Sequence, residues 1–138
     1  MSKVNTSAHI PVSAEKIWEL IGQFNGLPGW HPAAESSELE DGGQQRRIQI
    51  AGGGGEIVEK LLKLDDNNYE YSYSIVDSPL PVADYVSTLK VVPDEDGEGC
   101  TIEWGGTFEA AGAPVEKAEE IVMGIYKSGL KNLSKMFG

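Results

Sequence analysis

Two periodicities divide the chain. Between residues 35 and 110, apolar and polar side chains alternate in short runs separated by Gly, Pro, Asn and Asp, the spacing of strands joined by tight turns. Between residues 114 and 137 the period lengthens. Val115, Ala118, Ile121, Val122, Ile125, Tyr126, Gly129, Leu130, Leu133, Met136 and Phe137 fall on one arc of a 3.6-residue helix, with Glu116, Lys117, Glu120, Lys127, Lys131 and Lys135 opposite. Acids in the first turns and lysines in the last agree with the helix macrodipole, and Pro114 suits the first helical position. Such a helix needs a broad apolar surface to lie on. The strand candidates supply one: residues 35–40, 44–51, 56–64, 69–76, 84–92 and 101–110. Residues 3–10 form a further strand that Pro11 closes. Ser13 then caps a short helix over residues 14–24, in which Ile17, Leu20, Ile21 and Phe24 recur at helical spacing. The predicted architecture is α+β: an antiparallel meander of six to seven strands, curled around one long C-terminal helix, in a single domain over residues 1–138.

Strand parity then sorts the side chains, because alternate residues share a face. Ile48 and Ile50 should face the helix, which carries Arg46 inward with them. Tyr71, Tyr73 and Ile75 form a second inward row, Tyr85, Ser87, Leu89 and Val91 a third, and Ile102, Trp104, Gly106 and Phe108 a fourth. Residues 56–64 stay ambiguous. One face holds Ile57, Glu59 and Leu61, the other Val58, Lys60, Leu62 and Leu64. If the first is inward, Glu59 shares an interior with Arg46, Tyr73 and Tyr85. Gly129, central on the helix arc, and Gly106 either leave a cavity between helix and sheet or let the two backbones approach closely.

Composition narrows the function classes. A formal charge of −11 opposes binding to nucleic acid or an anionic membrane, both of which need a basic surface. No run approaches the ~20 apolar residues of a membrane span, so integral membrane association is not expected. The N-terminus shows no secretory pattern and the single cysteine, Cys100, has no partner for an internal disulfide. A cytoplasmic location is expected. His9 and His31 are too few, and Cys100 too isolated, to form a metal site by spacing, and no cofactor motif is present. Gly52-Gly53-Gly54-Gly55 joins strand to strand without the Lys-Ser/Thr of a phosphate loop, and reads as a hairpin tip.

The succession Val12-Ser13-Ala14-Glu15-Lys16-Ile17-Trp18, Trp30-His31-Pro32, Ile57-Val58-Glu59-Lys60-Leu61, Tyr71-Ser72-Tyr73-Ser74-Ile75-Val76, Asp84-Tyr85-Val86-Ser87-Thr88-Leu89 and Ile102-Glu103-Trp104 spans nearly the whole chain. It resembles the helix-grip fold of the START and birch-pollen-allergen superfamily (SRPBCC), closest to the polyketide cyclase/dehydrase-like bacterial members. That resemblance implies two short helices after the first strand and a hydrophobic cavity between sheet and helix. The strand motifs are also similar to those of plant lachrymatory-factor synthases, in which an inward Arg, a Glu and tyrosines serve proton transfer. Residue by residue this implies Arg46, Glu59, Tyr73 and Tyr85 as the catalytic set, and favours Glu59 facing inward.

On this reading Glu59 is the general base, and Arg46, Tyr73 and Tyr85 hold a ligand oxygen. Trp30, His31, Tyr71, Trp104, Val122, Ile125, Tyr126 and Gly129 are the expected ligand-contacting residues. His31 has two open roles, as an acid or ligand contact and as a hydrogen-bonding residue of a tight turn. The inward tyrosines and the Arg–Glu pair also have a purely structural reading, as a satisfied buried ion pair in an aromatic core. The function expected first is binding of a small hydrophobic or amphipathic molecule. The alternative is a cofactor-free cyclase, dehydratase or isomerase working by proton transfer, and a third is a partner-binding module using the acidic exterior. No oligomeric state follows from the sequence.

Overall fold

Every alternating stretch forms a strand in the computed structural model, which describes residues 1–137. The strands are β1 (Ser2–Ile10), β2 (Ala34–Glu40), β3 (Gln45–Ile50), β4 (Glu56–Asp65), β5 (Glu70–Asp77), β6 (Val82–Pro93) and β7 (Cys100–Ala110). They make one antiparallel sheet in the order β1-β7-β6-β5-β4-β3-β2. From β2 to β7 each strand pairs with the next by a hairpin, and β1 closes the far side against β7. Two helices complete the α+β layout, α1 (Ala14–Ile21) and α2 (Val115–Phe137).

The short helices differ from expectation. Ser13 caps α1 as predicted, its side chain accepting from the Lys16 N–H at 3.3 Å, but α1 stops at Ile21 and Phe24 lies beyond it. The second short helix is only a three-residue 3-10 turn, Leu27–Gly29, held by the Trp30 and His31 N–H groups on the Leu27 carbonyl. Gly26, Pro28 and Gly29 leave too few helix-forming residues for more.

Parity holds on the inner face. Tyr71, Tyr73, Tyr85, Ser87, Leu89, Val91, Ile102, Trp104 and Phe108 are all buried. On β4 Val58 and Glu59 are both buried, at a bulge in the pairing with β5, but Glu59 and Ile57 line the interior cavity, whereas Lys60, Leu62 and Leu64 are exposed. The hairpin explains why. Arg46 lies six residues before Gly52 and Glu59 six after Gly53, so a turn centred between those glycines sets the two directly opposite on β3 and β4. Gly52 and Gly53 adopt φ of +75° and +76°, a conformation that L side chains avoid.

Helix α2 lies against β1 and β7, with Ala118, Val122, Tyr126, Leu130 and Leu133 buried. At roughly 1.5–3 kcal/mol per large side chain this contact is a main source of stability. Val115 and Met136, at the two ends of the arc, are exposed, so only the central turns are covered. Gly129 is not a spacer for a cavity. A Cβ there would lie 2.7 Å from His31 Cδ2, 2.9 Å from Trp104 and 3.0 Å from Trp30, so the missing side chain is what seats α2 on three rings. At Gly106 a Cβ would lie 2.5 Å from the Tyr126 hydroxyl, which fills the space instead.

Gly129 and Gly124 therefore separate packing from helix propensity within one helix. Gly124 is exposed with nothing within 4 Å of an added Cβ, so Gly124→Ala should raise stability by about 0.5–1 kcal/mol. Gly129→Ala should lose about 1–2 kcal/mol despite the same propensity gain, because the packed rings must shift. Urea denaturation of both variants checks this, and an equal gain at the two positions would refute the tight seat.

Candidate functional site

The polar centre begins with the register of β3 and β4. Because Arg46 and Glu59 face each other across neighbouring strands, Arg46 Nε and Nη2 both reach Glu59 Oε1, at 2.8 and 2.7 Å. The Arg46 Nη1 donates to the carbonyl of Phe24, which is available because α1 has already ended. The guanidinium also lies 4.3 Å from the Phe24 ring centroid and 5.1 Å from that of Tyr73. Arg46 thus has three of its five N–H groups engaged. Burial opposes its charge, but Glu59 and the neighbouring tyrosines outweigh burial and push its pKa above the ordinary value. Burial also pushes the Glu59 carboxyl above its usual range, against the pull of Arg46. Among the described residues, Glu59 Oε2 has no hydrogen-bond donor.

A second polar group joins β5, β6, β7 and α2. Ser87 Oγ donates to the Gly105 carbonyl at 3.0 Å and accepts from Tyr126 at 2.9 Å and from Trp104 Nε1 at 3.1 Å. Trp104 Nε1 also reaches the Tyr73 hydroxyl at 3.2 Å, and Tyr85 and Tyr126 are hydrogen-bonded through their hydroxyls. Burial raises the pKa of Tyr73 and Tyr85 well above normal and that of Tyr126 to about 12, so all three carry their protons near neutrality. A β-bulge aims Tyr85: Ala83 pairs with Glu109 and Val86 with Thr107, leaving Asp84 and Tyr85 opposite Phe108 alone. Asp84 takes the left-handed conformation there, at φ +53°.

Between these groups and α2 lies a cavity of about 210 Å³. Arg46, Glu59, Tyr73 and Tyr85 all line it, together with His31, Trp104 and Ile125. The remaining expected ligand contacts do not. Trp30 and Gly129 are consumed in the seat of α2, and Val122 is wholly enclosed in the core. Tyr71 packs on Trp18, Phe24 and Tyr73, and Tyr126 stacks on Trp104 with its hydroxyl already bonded. The wall is instead completed by residues the sequence reading did not single out as contacts, chiefly Ile57, Ile75, Leu80 and Ile121. Ile57 and Ile75 share the parity of Glu59 and Tyr73, and Ile121 precedes Ile125 by one helical turn, so pattern alone carried a signal for them. Leu80 sits in the loop before β6, where no periodicity applies. Among the described residues, no group of three or more His, Cys, Asp or Glu side chains is placed to hold a metal ion.

His31 spends both ring nitrogens on structure. Nδ1 accepts from the Ala33 N–H at 3.1 Å, which leaves Nε2 to donate to the Ile125 carbonyl at 2.7 Å. The ring is neutral in this arrangement, and burial lowers its pKa below the ordinary value, with Arg46 adding to the effect. It borders the cavity as a strut between the 3-10 turn and α2, with no nitrogen left for a ligand.

The polyketide cyclase/dehydrase and lipid transport family profile matches residues 1–138. XoxI from Bacillus cereus superposes with a TM-score of 0.96 at 39% identity, covering 99% of this chain and 96% of that one. A protein from Bacillus thuringiensis superposes with a TM-score of 0.95, also at 39% identity, over 99% of this chain and 98% of its own. A START superfamily protein from Mycobacterium smegmatis shares the fold at 15% identity, with a TM-score of 0.80 and coverage of 98% and 96%. The helix-grip arrangement is therefore common to all of them. Comparison with curated proteins finds no relative of this chain.

The bonding of His31 sets a pH dependence. With the folded pKa lowered, the unfolded chain binds more protons below its own value of about 6.5, so this contribution to stability is complete above that pH and is lost as pH falls toward the folded pKa. Denaturation at pH 7.5 and 5.5 should show a loss on acidification that His31→Asn reduces. A His31 ring that titrates at or above about 6.5 by NMR would contradict this.

Proposed function

The chain belongs to the polyketide cyclase/dehydrase and lipid transport family, and we propose that, as one domain, it encloses a small, largely apolar molecule with a polar end between the sheet and α2. The cavity carries this reading. Its walls are mainly aliphatic, and its polar residues gather where Glu59, Arg46, Tyr73 and Tyr85 meet. An apolar cavity of about 150 Å³ holds benzene, whereas drug-sized ligands occupy roughly 300–1,000 Å³. About 210 Å³ therefore suits a single substituted ring or a short branched chain. Ion-pair energetics support the same reading, since stripping water from two charges costs several kcal/mol each and a wetted or ligand-filled pocket reduces that cost. A cytoplasmic setting is part of the proposal, consistent with the lone buried thiol of Cys100.

Filling the cavity tests the reading. Ile75→Trp should weaken binding of small aromatic and lipid probes at least tenfold by thermal shift and native mass spectrometry, while circular dichroism stays that of the parent. Undiminished binding would move the site elsewhere.

A second reading is favoured by one observation: Glu59 lines the cavity, and its Oε2 has no donor among the described residues. Glu59 would then be the base of a proton-transfer enzyme, with Arg46 positioning it and Tyr73 bonding the substrate oxygen. In D₂O, α-proton exchange of small cyclic ketones such as 2-tetralone should be accelerated, and Glu59→Gln should lose about 100-fold or more of that rate while keeping an oxygen for Arg46 to bind. Exchange at the same rate in the variant would remove Glu59 from the chemistry.

A further inference from the structure

The hydrogen bonds around Ser87 have a direction, and the direction reaches the cavity. The Gly105 carbonyl has no hydrogen to give, so the Ser87 hydroxyl must donate to it. Ser87 then has only lone pairs for its other neighbours. Tyr126 must therefore spend its single hydrogen on Ser87, as Trp104 Nε1 does in part. With that hydrogen used, the bond between Tyr126 and Tyr85 can form only if Tyr85 donates. Tyr85 thus keeps nothing but lone pairs for a ligand. Tyr73 is the opposite case: its oxygen accepts from Trp104 Nε1, and among the described residues its own hydrogen has no acceptor.

Arg46 has three of its five N–H groups engaged, Nε and Nη2 by Glu59 and Nη1 by the Phe24 carbonyl, which leaves one hydrogen on Nη1 and one on Nη2 beside the carboxylate it already pairs. The polar residues lining the cavity are thus an acceptor, Tyr85, a donor, Tyr73, and the Glu59–Arg46 pair, in which Glu59 Oε2 and two Arg46 N–H groups have no other partner among the described residues. This reverses the expectation for Tyr85, which accepts from a ligand where it was expected to donate. A carboxylate would bring a negative charge and only lone pairs to Glu59 and Tyr85. A hydroxyl fits both partners at once, donating to Tyr85 and accepting from Tyr73.

We propose that Ser87 and Tyr126 set the polarity of the pocket, and that the matching ligand is a small neutral alcohol or phenol rather than an acid. Ser87 and Tyr126 are positioning residues, since they act through Tyr85. The proposal rests on the reading of the cavity as a ligand site. It goes beyond that reading in assigning the ligand's polar group and the residues that select it.

Four probes of similar size separate the possibilities: p-cresol, 4-methylanisole, p-xylene and 4-methylbenzoate, titrated near neutral pH by calorimetry. The expected order is p-cresol, then 4-methylanisole, then p-xylene, with 4-methylbenzoate weakest. Each step between neutral probes should be about 3–10-fold, the effect of one neutral hydrogen bond. Tyr85→Phe should remove the advantage of p-cresol over 4-methylanisole while leaving p-xylene unchanged. Ser87→Ala frees Tyr126 to donate to Tyr85, which turns the Tyr85 hydrogen toward the cavity and should shift preference toward 4-methylanisole, a change that simple loss of packing would not produce. Should Ser87→Ala not fold, the Tyr85→Phe result decides alone. If p-xylene binds as tightly as p-cresol, or 4-methylbenzoate binds best, the polarity is wrong although the pocket stands. If none of the four binds, the pocket reading fails and this proposal fails with it.

Discussion

A charged pair with almost no access to solvent is the constraint around which this structure is arranged. Arg46 is 1% exposed and Glu59 6%, and removing one member of such a pair typically costs about 3–5 kcal/mol because the other is left uncompensated. Each neighbour of the pair meets a specific requirement. The symmetric hairpin brings the two residues opposite each other, the early end of α1 releases the Phe24 carbonyl for a third contact, and the Phe24 and Tyr73 rings cover the guanidinium. Among the described residues one carboxylate oxygen of the pair has no donor, and Glu59 lines the cavity.

The opposite side of the interior is organised by contact rather than charge. Trp30, His31 and Trp104 form a cluster with ring centroids 5.4–5.9 Å apart, onto which Gly129 lets α2 settle. His31 then ties the cluster to the helix through the Ile125 carbonyl, and Asn132 ties it again through the Trp30 carbonyl at 2.8 Å. Tyr126 stacks on Trp104 and carries the hydrogen-bond chain from Ser87 to Tyr85. The helix therefore does more than close the cavity. It holds the residue that orients the hydroxyl of a cavity wall contributed by the sheet.

Much of this is legible in the sequence. Period-2 runs and turn residues located the strands, and the 3.6-residue arc located α2, because backbone geometry leaves side chains few directions to point. The same parity put Arg46, Tyr73 and Tyr85 inside. The place of Glu59 opposite Arg46 was not decidable in the same way, because centring the turn on the whole run Gly52–Gly55 would set Arg46 opposite Leu61, and only the observed turn between Gly52 and Gly53 sets it opposite Glu59. The short helices were less legible, since a three-residue turn at Leu27–Gly29 and a helix that stops before Phe24 depend on what the flanking residues touch.

The local sequence by itself determined the strands and most of their inward faces, the helix and its arc, and the placing of Arg46, Tyr73 and Tyr85 on the sheet's concave side, all consequences of short-range periodicity, whereas the side taken by Glu59 came from the strand register. Only the tertiary structure decided what the inward residues do. Gly129 meets three rings brought from distant parts of the chain, so whether it opens space or closes it is a matter of packing that no periodicity encodes. The polarity of Tyr85 depends on Ser87, Gly105 and Tyr126, and a proton's direction follows from the whole chain of partners rather than from any one residue.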